Sequence, residues 1–152
     1  GRGVMSAEQL RSAVEEAKVH GERIVFTNGC FDILHIGHIK MLQYARSLGD
    51  YLIVGIDGDR RVKELKGDCR PINNQNNRKD FLLSLKCIDS VFIFNSKQEM
   101  CNILIDQDIK EMVVGEEYKD QLITGENIVD KIHFFKKIKN FSTTRIINEI
   151  KS

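Results

Sequence analysis

The chain has 152 residues, 30% of them charged, with 23 basic side chains against 22 acidic. That is enough length for one domain with its own apolar core, and charges that nearly cancel leave no broad positive field for a nucleic-acid backbone or an anionic membrane. Cys30, Cys69, Cys87 and Cys101 stand far apart, with no CxxC pair or zinc-type Cys/His spacing. No apolar run approaches about 18 residues, and no signal-peptide core opens the chain, so a soluble, cytoplasmic protein with reduced thiols is expected.

Residues 1–4, GRGV, read as a tag or linker remnant, and 5–152 as one domain. Ser6 with Gln9 makes a capping box, and Leu10, Val14 and Ala17 follow at helical spacing until Gly21. RIVFTNG is continuously apolar, too short for a helix, and closes on Asn-Gly, which predicts a buried strand. From Gly37 the period changes. Ile39, Leu42, Ala45 and Leu48 share a helical face that Gly49 ends. YLIVGI (51–56) predicts the second strand, followed by a short helix from Asp59 to Leu65, the polar loop KGDCRPINN and a helix from about Gln75 to Lys86. SVFIF (90–94) is the third strand, and Ser96 with Glu99 caps a helix through Ile105. EMVVG (111–115) and KIHFFK (131–136) are the fourth and fifth strands, and Ser142 caps a final helix. Apolar strands separated by helices predict a single doubly wound, Rossmann-like α/β domain with a five-stranded parallel sheet.

In such sheets ligands bind beyond the carboxyl ends of the strands, where the topology switches direction. The stretch NGCFDILHIGH lies there. Asn28 and Gly29 end the first strand, and the helix beginning near Gly37 offers unpaired N–H groups and the positive end of its dipole, a site for a phosphate. His35 and His38, three residues apart at a helix start, can both donate to one phosphoryl group, and Gly37 lets the ligand approach the backbone. Two histidines in a turn could also do no more than cap the helix.

The tetrad His35-Ile36-Gly37-His38 after TNGCFD resembles the H-x-G-H motif of the cytidylyltransferase-like nucleotidyltransferases, over residues 5 to about 151. LGDYLIVGIDGD, LKGDCRPIN with Arg78 following, and the late STT are most similar to the adenylyltransferases that activate D-glycero-β-D-manno-heptose 1-phosphate. The resemblance implies transfer of AMP from ATP to that sugar 1-phosphate, forming ADP-heptose and releasing pyrophosphate. Mg2+ would accompany the triphosphate without direct protein ligands, and a homodimer is implied by family alone. It further implies that the amides of Phe31 and Asp32 meet the triphosphate, that His35 and His38 hold the α- and β-phosphates, and that Lys66 neutralises phosphate charge. Arg70 and Arg78 match basic positions, with Arg78 facing the acceptor phosphate. Ser142, Thr143 and Thr144 would bind the outer phosphates, Asp57 and Asp59 would lie near the ribose or acceptor, and Gly115, Glu116 and Tyr118 would wall the base pocket. More simply, Asp59 and Ser142 could be helix caps and Lys66 a solvated lysine.

Val114-Gly115-Glu116-Glu117-Tyr118 departs from the Lys-Gly-Gly-Asp-Tyr of the heptose enzymes and is closer to the glycerol-phosphate cytidylyltransferases. That keeps open CTP as the nucleotide and glycerol 3-phosphate or a similar small alcohol phosphate as the acceptor. A nucleotide-sensing module without turnover is the non-enzymatic alternative. The kinase domain fused to many heptose enzymes has no counterpart, which leaves a stand-alone transferase or one half of a bifunctional protein.

Overall fold

The computed structural model describes residues 3–4 and 6–136. Helix α1 (Ala7–Val19) starts at Ser6, whose hydroxyl accepts from the Gln9 amide while the Gln9 side chain takes the Ser6 N–H. Strand β2 (Ile24–Gly29), helix α2 (Ile36–Ser47) and strand β3 (Tyr51–Asp57) follow, then α3 (Asp59–Lys66), α4 (Gln75–Leu83), β4 (Ser90–Phe94), α5 (Lys97–Asp106), β5 (Glu111–Gly115) and β6 (Lys131–Phe135). The five expected strands are all present. The segment set aside as a remnant adds a two-residue strand, β1 (Gly3–Val4), which pairs in parallel with β4 and makes the sheet six-stranded. Helix α4 ends three residues before its predicted limit, where the Ser84 hydroxyl donates to the Phe81 carbonyl and the chain tightens into a turn. The predicted C-terminal helix lies outside the described residues.

Every strand pair is parallel, in the order β1-β4-β3-β2-β5-β6. From β2 the chain steps outward through β3 to β4, then returns through α5 to the other side of β2 and continues to β6. Alternate residues of each strand therefore face different layers. Phe26, Ile53, Met112 and Val114 meet Leu10, Val14 and Ala17 of α1 and Met100 and Leu104 of α5. Val25, Leu52, Val54 and Val113 meet Leu42 and Ala45 of α2 and Leu82 of α4. With both faces covered, the carboxyl ends of β2 and β5, on either side of the reversal, are left to form a crevice. No described helix is long and apolar enough to cross a membrane.

At the opposite end of the sheet, Arg23 grips the Glu111 carboxylate with Nε and Nη2, and His133 Nε2 lies 3.0 Å from it, tying the starts of β2, β5 and β6 together. Hydrogen bonding from Arg23, set against partial burial, holds the Glu111 carboxyl down at about 2, below its ordinary 4.5. The folded value is the lower one, so this stabilisation is complete above about pH 4.5 and is lost as the pH falls toward 2. Glu111→Gln should lower the unfolding free energy at pH 7 by less than about 1 kcal/mol, because the half-exposed Arg23 is screened. Urea unfolding curves of the two proteins should converge between pH 4.5 and 2.

Candidate active site

Helix α2 begins where a loop, residues 30–35, leaves β2, and its N-cap is a histidine rather than a Ser, Thr, Asp or Asn. The Gly37 amide donates to His35 Nδ1 at 3.0 Å, and the His35 amide donates to His38 Nδ1 at 3.3 Å, so two imidazoles form a reciprocal capping box. The rings stack with centroids 3.9 Å apart and 28° between planes. A ring nitrogen that accepts a backbone N–H carries no proton, so each neutral imidazole holds its hydrogen on Nε2.

Phe31 supports this pair from below. Its ring is buried in the layer under α2 and meets His38 edge-on at 5.4 Å. The ring fits because residue 29 is glycine: a Cβ there would come within 2.9 Å of it. Phe31 adopts a left-handed backbone with φ of 51°. That costs about 1–2 kcal/mol in a non-glycine residue, and burying a phenylalanine side chain contributes about 2–3 kcal/mol, enough to hold the turn.

The next residue turns inward. The Asp32 carboxylate is fully buried and accepts from Arg70 Nε at 2.9 Å and from the amides of Ile72 and Asn73 at 2.9 and 2.8 Å, while the Asn73 side-chain amide donates to the Asp32 carbonyl. Burial pushes the Asp32 carboxyl up, but the two amides and the guanidinium outweigh it and the group titrates below its ordinary value. Arg70 is largely buried, its peptide bond to Pro71 is cis, and its Nη2 is a buried donor without a hydrogen-bond partner among the described residues.

The structure corrects the expectation that Arg78 faces the acceptor phosphate, since the side chain is fully buried. Its Nε donates to the Asn73 carbonyl at 3.0 Å, one Nη to the carbonyls of Cys30 and Asp57 at 3.0 and 2.6 Å, and the other to the Asp59 carboxylate at 2.8 Å. Asp59 lies in the first turn of α3, whose N-cap is Gly58, so its carboxylate serves Arg78 rather than a cap. The Asp57 carboxylate pairs with Arg61, which lies over the Phe94 ring. Lys66 is exposed at the end of α3. Burial pushes the Cys30 thiol up, against the pull of the Lys66 and Arg78 charges, so Lys66 stands within electrostatic reach of the end of β2.

Across the crevice, Gly115 ends β5 and a single 3-10 turn presents exposed Glu116 and Tyr118. The Glu117 carboxylate folds back against Gly115, in the space a Cβ there would fill. Asn28, half-buried at the end of β2, donates to Met100 Sδ. Loop and turn thus bring Asn28, Gly29, Phe31, Asp32, His35, Gly37 and His38 to one rim and Gly115, Glu116 and Tyr118 to the other. Ser142, Thr143 and Thr144 lie outside the described residues. Asn73, which links the Asp32 carbonyl to Arg78, was not singled out from the sequence; the only signal was an Asn-Asn pair in the polar loop. Among the described residues no group of three or more His, Cys, Asp or Glu could hold a metal ion.

A family model described as cytidylyltransferase-like matches residues 26–152. The chain is 43% identical over 147 residues to a bifunctional protein HldE of Nitratiruptor sp. (95% of this chain, 31% of the relative) and 46% identical over 137 residues to that of Aliarcobacter butzleri (88% and 28%). It thus spans about a third of the length of the curated relatives it matches. Among solved structures, a lipopolysaccharide core biosynthesis protein from Thermoplasma volcanium superposes with a TM-score of 0.65 at 28% identity, over 78% of this chain and all of the other.

Replacing Asp32 by asparagine would point an amide donor at one of the donors the carboxylate now receives and leave Arg70 uncompensated. The variant should lose about 3 kcal/mol of stability in urea unfolding, the cost of breaking a buried ion pair. Amide hydrogen exchange should rise at Ile72 and Asn73, whose N–H groups the carboxylate accepts.

Proposed function

The chain belongs to the cytidylyltransferase-like family, and from that premise we propose that it is a nucleotidyltransferase moving AMP from ATP to D-glycero-β-D-manno-heptose 1-phosphate, with release of pyrophosphate and formation of ADP-heptose. One observation carries the reading. Two stacked imidazoles, each accepting a backbone N–H at Nδ1, stand at the amino end of α2 beside the crevice. A helix amino terminus favours anions, and neutral donors held there are suited to phosphate oxygens. The high identity to the HldE proteins over nearly the whole of this chain supports the choice of nucleotide and acceptor.

In this mechanism an oxygen of the acceptor phosphate attacks the α-phosphorus of ATP in line, the new O–Pα bond forms, and the Pα–O bond to the β-phosphate breaks. The attacking oxygen is already anionic, so no general base is required. His35 and His38 donate from Nε2 to the α- and β-phosphate oxygens, where charge accumulates as pyrophosphate departs. Lys66 adds a mobile positive charge at the rim. With Arg78 enclosed, Arg70 becomes the arginine for the acceptor phosphate, because its unsatisfied Nη2 would gain a partner there. Ser142, Thr143 and Thr144 are proposed for the outer phosphates, and Asp57 and Asp59 stand behind the acceptor through their arginine partners. The described residues offer no cage for Mg2+, so the ion enters this proposal only as the companion of the triphosphate, and no step is assigned to it. A cytoplasmic homodimer without nucleic-acid or membrane partners completes the proposal.

Pyrophosphate release from each NTP paired with each candidate acceptor tests the reading. ATP with the heptose 1-phosphate should give the highest kcat/KM. Preference for CTP with glycerol 3-phosphate would replace it with the cytidylyltransferase assignment, and nucleotide binding without release from any pair would indicate a sensing module. His38→Asn separates the two uses of the ring: the asparagine oxygen can replace Nδ1 as acceptor for the His35 amide, but no donor remains at Nε2. The variant should unfold at nearly the wild-type urea concentration while kcat falls about 100- to 1,000-fold.

A further inference from the structure

We infer that Arg78 is a positioning residue, which aims the amides of the loop after β2 at the phosphates without touching substrate; this rests on the transferase reading above. The four acceptors of its guanidinium come from separate segments: Cys30 in the loop after β2, Asp57 at the end of β3, Asp59 in α3 and Asn73 in the loop before α4. A planar fork that is fully buried can hold four such groups at fixed angles, whereas a lysine ammonium offers three donors from a single point.

The consequence for the ligand follows from peptide planarity. In a trans peptide the C=O and the following N–H point in opposite directions. Holding the Cys30 carbonyl against buried Arg78 therefore turns the Phe31 N–H to the far side, away from the interior. The same applies two residues on: the Asp32 carbonyl is held by Asn73, whose own carbonyl is held by Arg78, and this sets the direction of the Ile33 N–H. Arg78 sits at the head of a chain of contacts that ends at the left-handed turn of Phe31, on which the His38 ring rests. Misplacing a binding group by about 1 Å can cost about 100-fold in rate, so a residue that never meets the ligand can still set turnover.

Arg78→Lys tests this because it keeps the charge and removes the fork. The variant should show displaced Phe31 and Ile33 amide resonances in the ligand-free 1H–15N spectrum and pyrophosphate binding weakened about 10-fold or more. Its kcat should fall about 100-fold, with the acceptor KM changed less than about threefold. Unmoved loop resonances with wild-type pyrophosphate affinity would overturn the inference. So would a raised acceptor KM at unchanged kcat, the mark of direct phosphate contact. Should Arg78→Lys fail to fold, Asp59→Asn, which weakens one of the four contacts, should shift the same amides and weaken pyrophosphate binding about threefold; no shift would overturn it equally. A wild-type protein inactive with every nucleotide and acceptor would sink the transferase reading alone, because the amide resonances need no turnover.

Discussion

Two buried charges of opposite sign, Asp32 and Arg78, fix the carboxyl end of the sheet. Each is fully enclosed, and each is compensated by backbone groups as well as by a side chain. Ions taken out of water at this depth are tolerated only when nearly all their hydrogen-bonding capacity is used. The demand acts as a constraint on geometry. Asp32 can be satisfied only if residues 70–73 lie across it, and Arg78 only if the ends of β2 and β3 come together beneath it. A hydrophobic pair of similar volume could contribute comparable stability, but it would not specify which way the peptide planes point.

The imidazole cap shows the same economy of groups. An N-cap normally uses a small hydroxyl or carboxamide that is consumed by the cap. Here each histidine accepts a backbone amide at Nδ1, so helix initiation fixes how both rings are placed. Stacking the rings further limits their rotation, which leaves them preorganised at the amino end of α2. Phe31, held in its left-handed turn by burial and accommodated by Gly29, links the cap to the core below.

Much of the fold was legible because its signals are local. Apolar runs gave the positions of β2 through β6, and Ser6, Ser96 and Asn74 cap their helices through bonds within three residues. The miss at β1 has a physical cause: a two-residue strand has no periodicity to read and exists only because β4 offers it an edge. At the site, the pairing of His35 with His38 was legible because helix geometry places residues three apart side by side. Arg78 was misassigned because a lone arginine carries no local sign of whether its fork will meet solvent, a ligand or four interior acceptors.

By itself the sequence determined the alternation of strands and helices, the identity of the rim residues and the kinship of the chain, since each depends on spacing along the backbone or on short contiguous patterns. Tertiary structure alone decided which carbonyls Arg78 would bind and how the fully buried Asp32 carboxylate would be compensated. These depend on the directions of groups that are distant in the chain and become defined only when β2, β3 and the loop before α4 close around the buried Arg78 side chain.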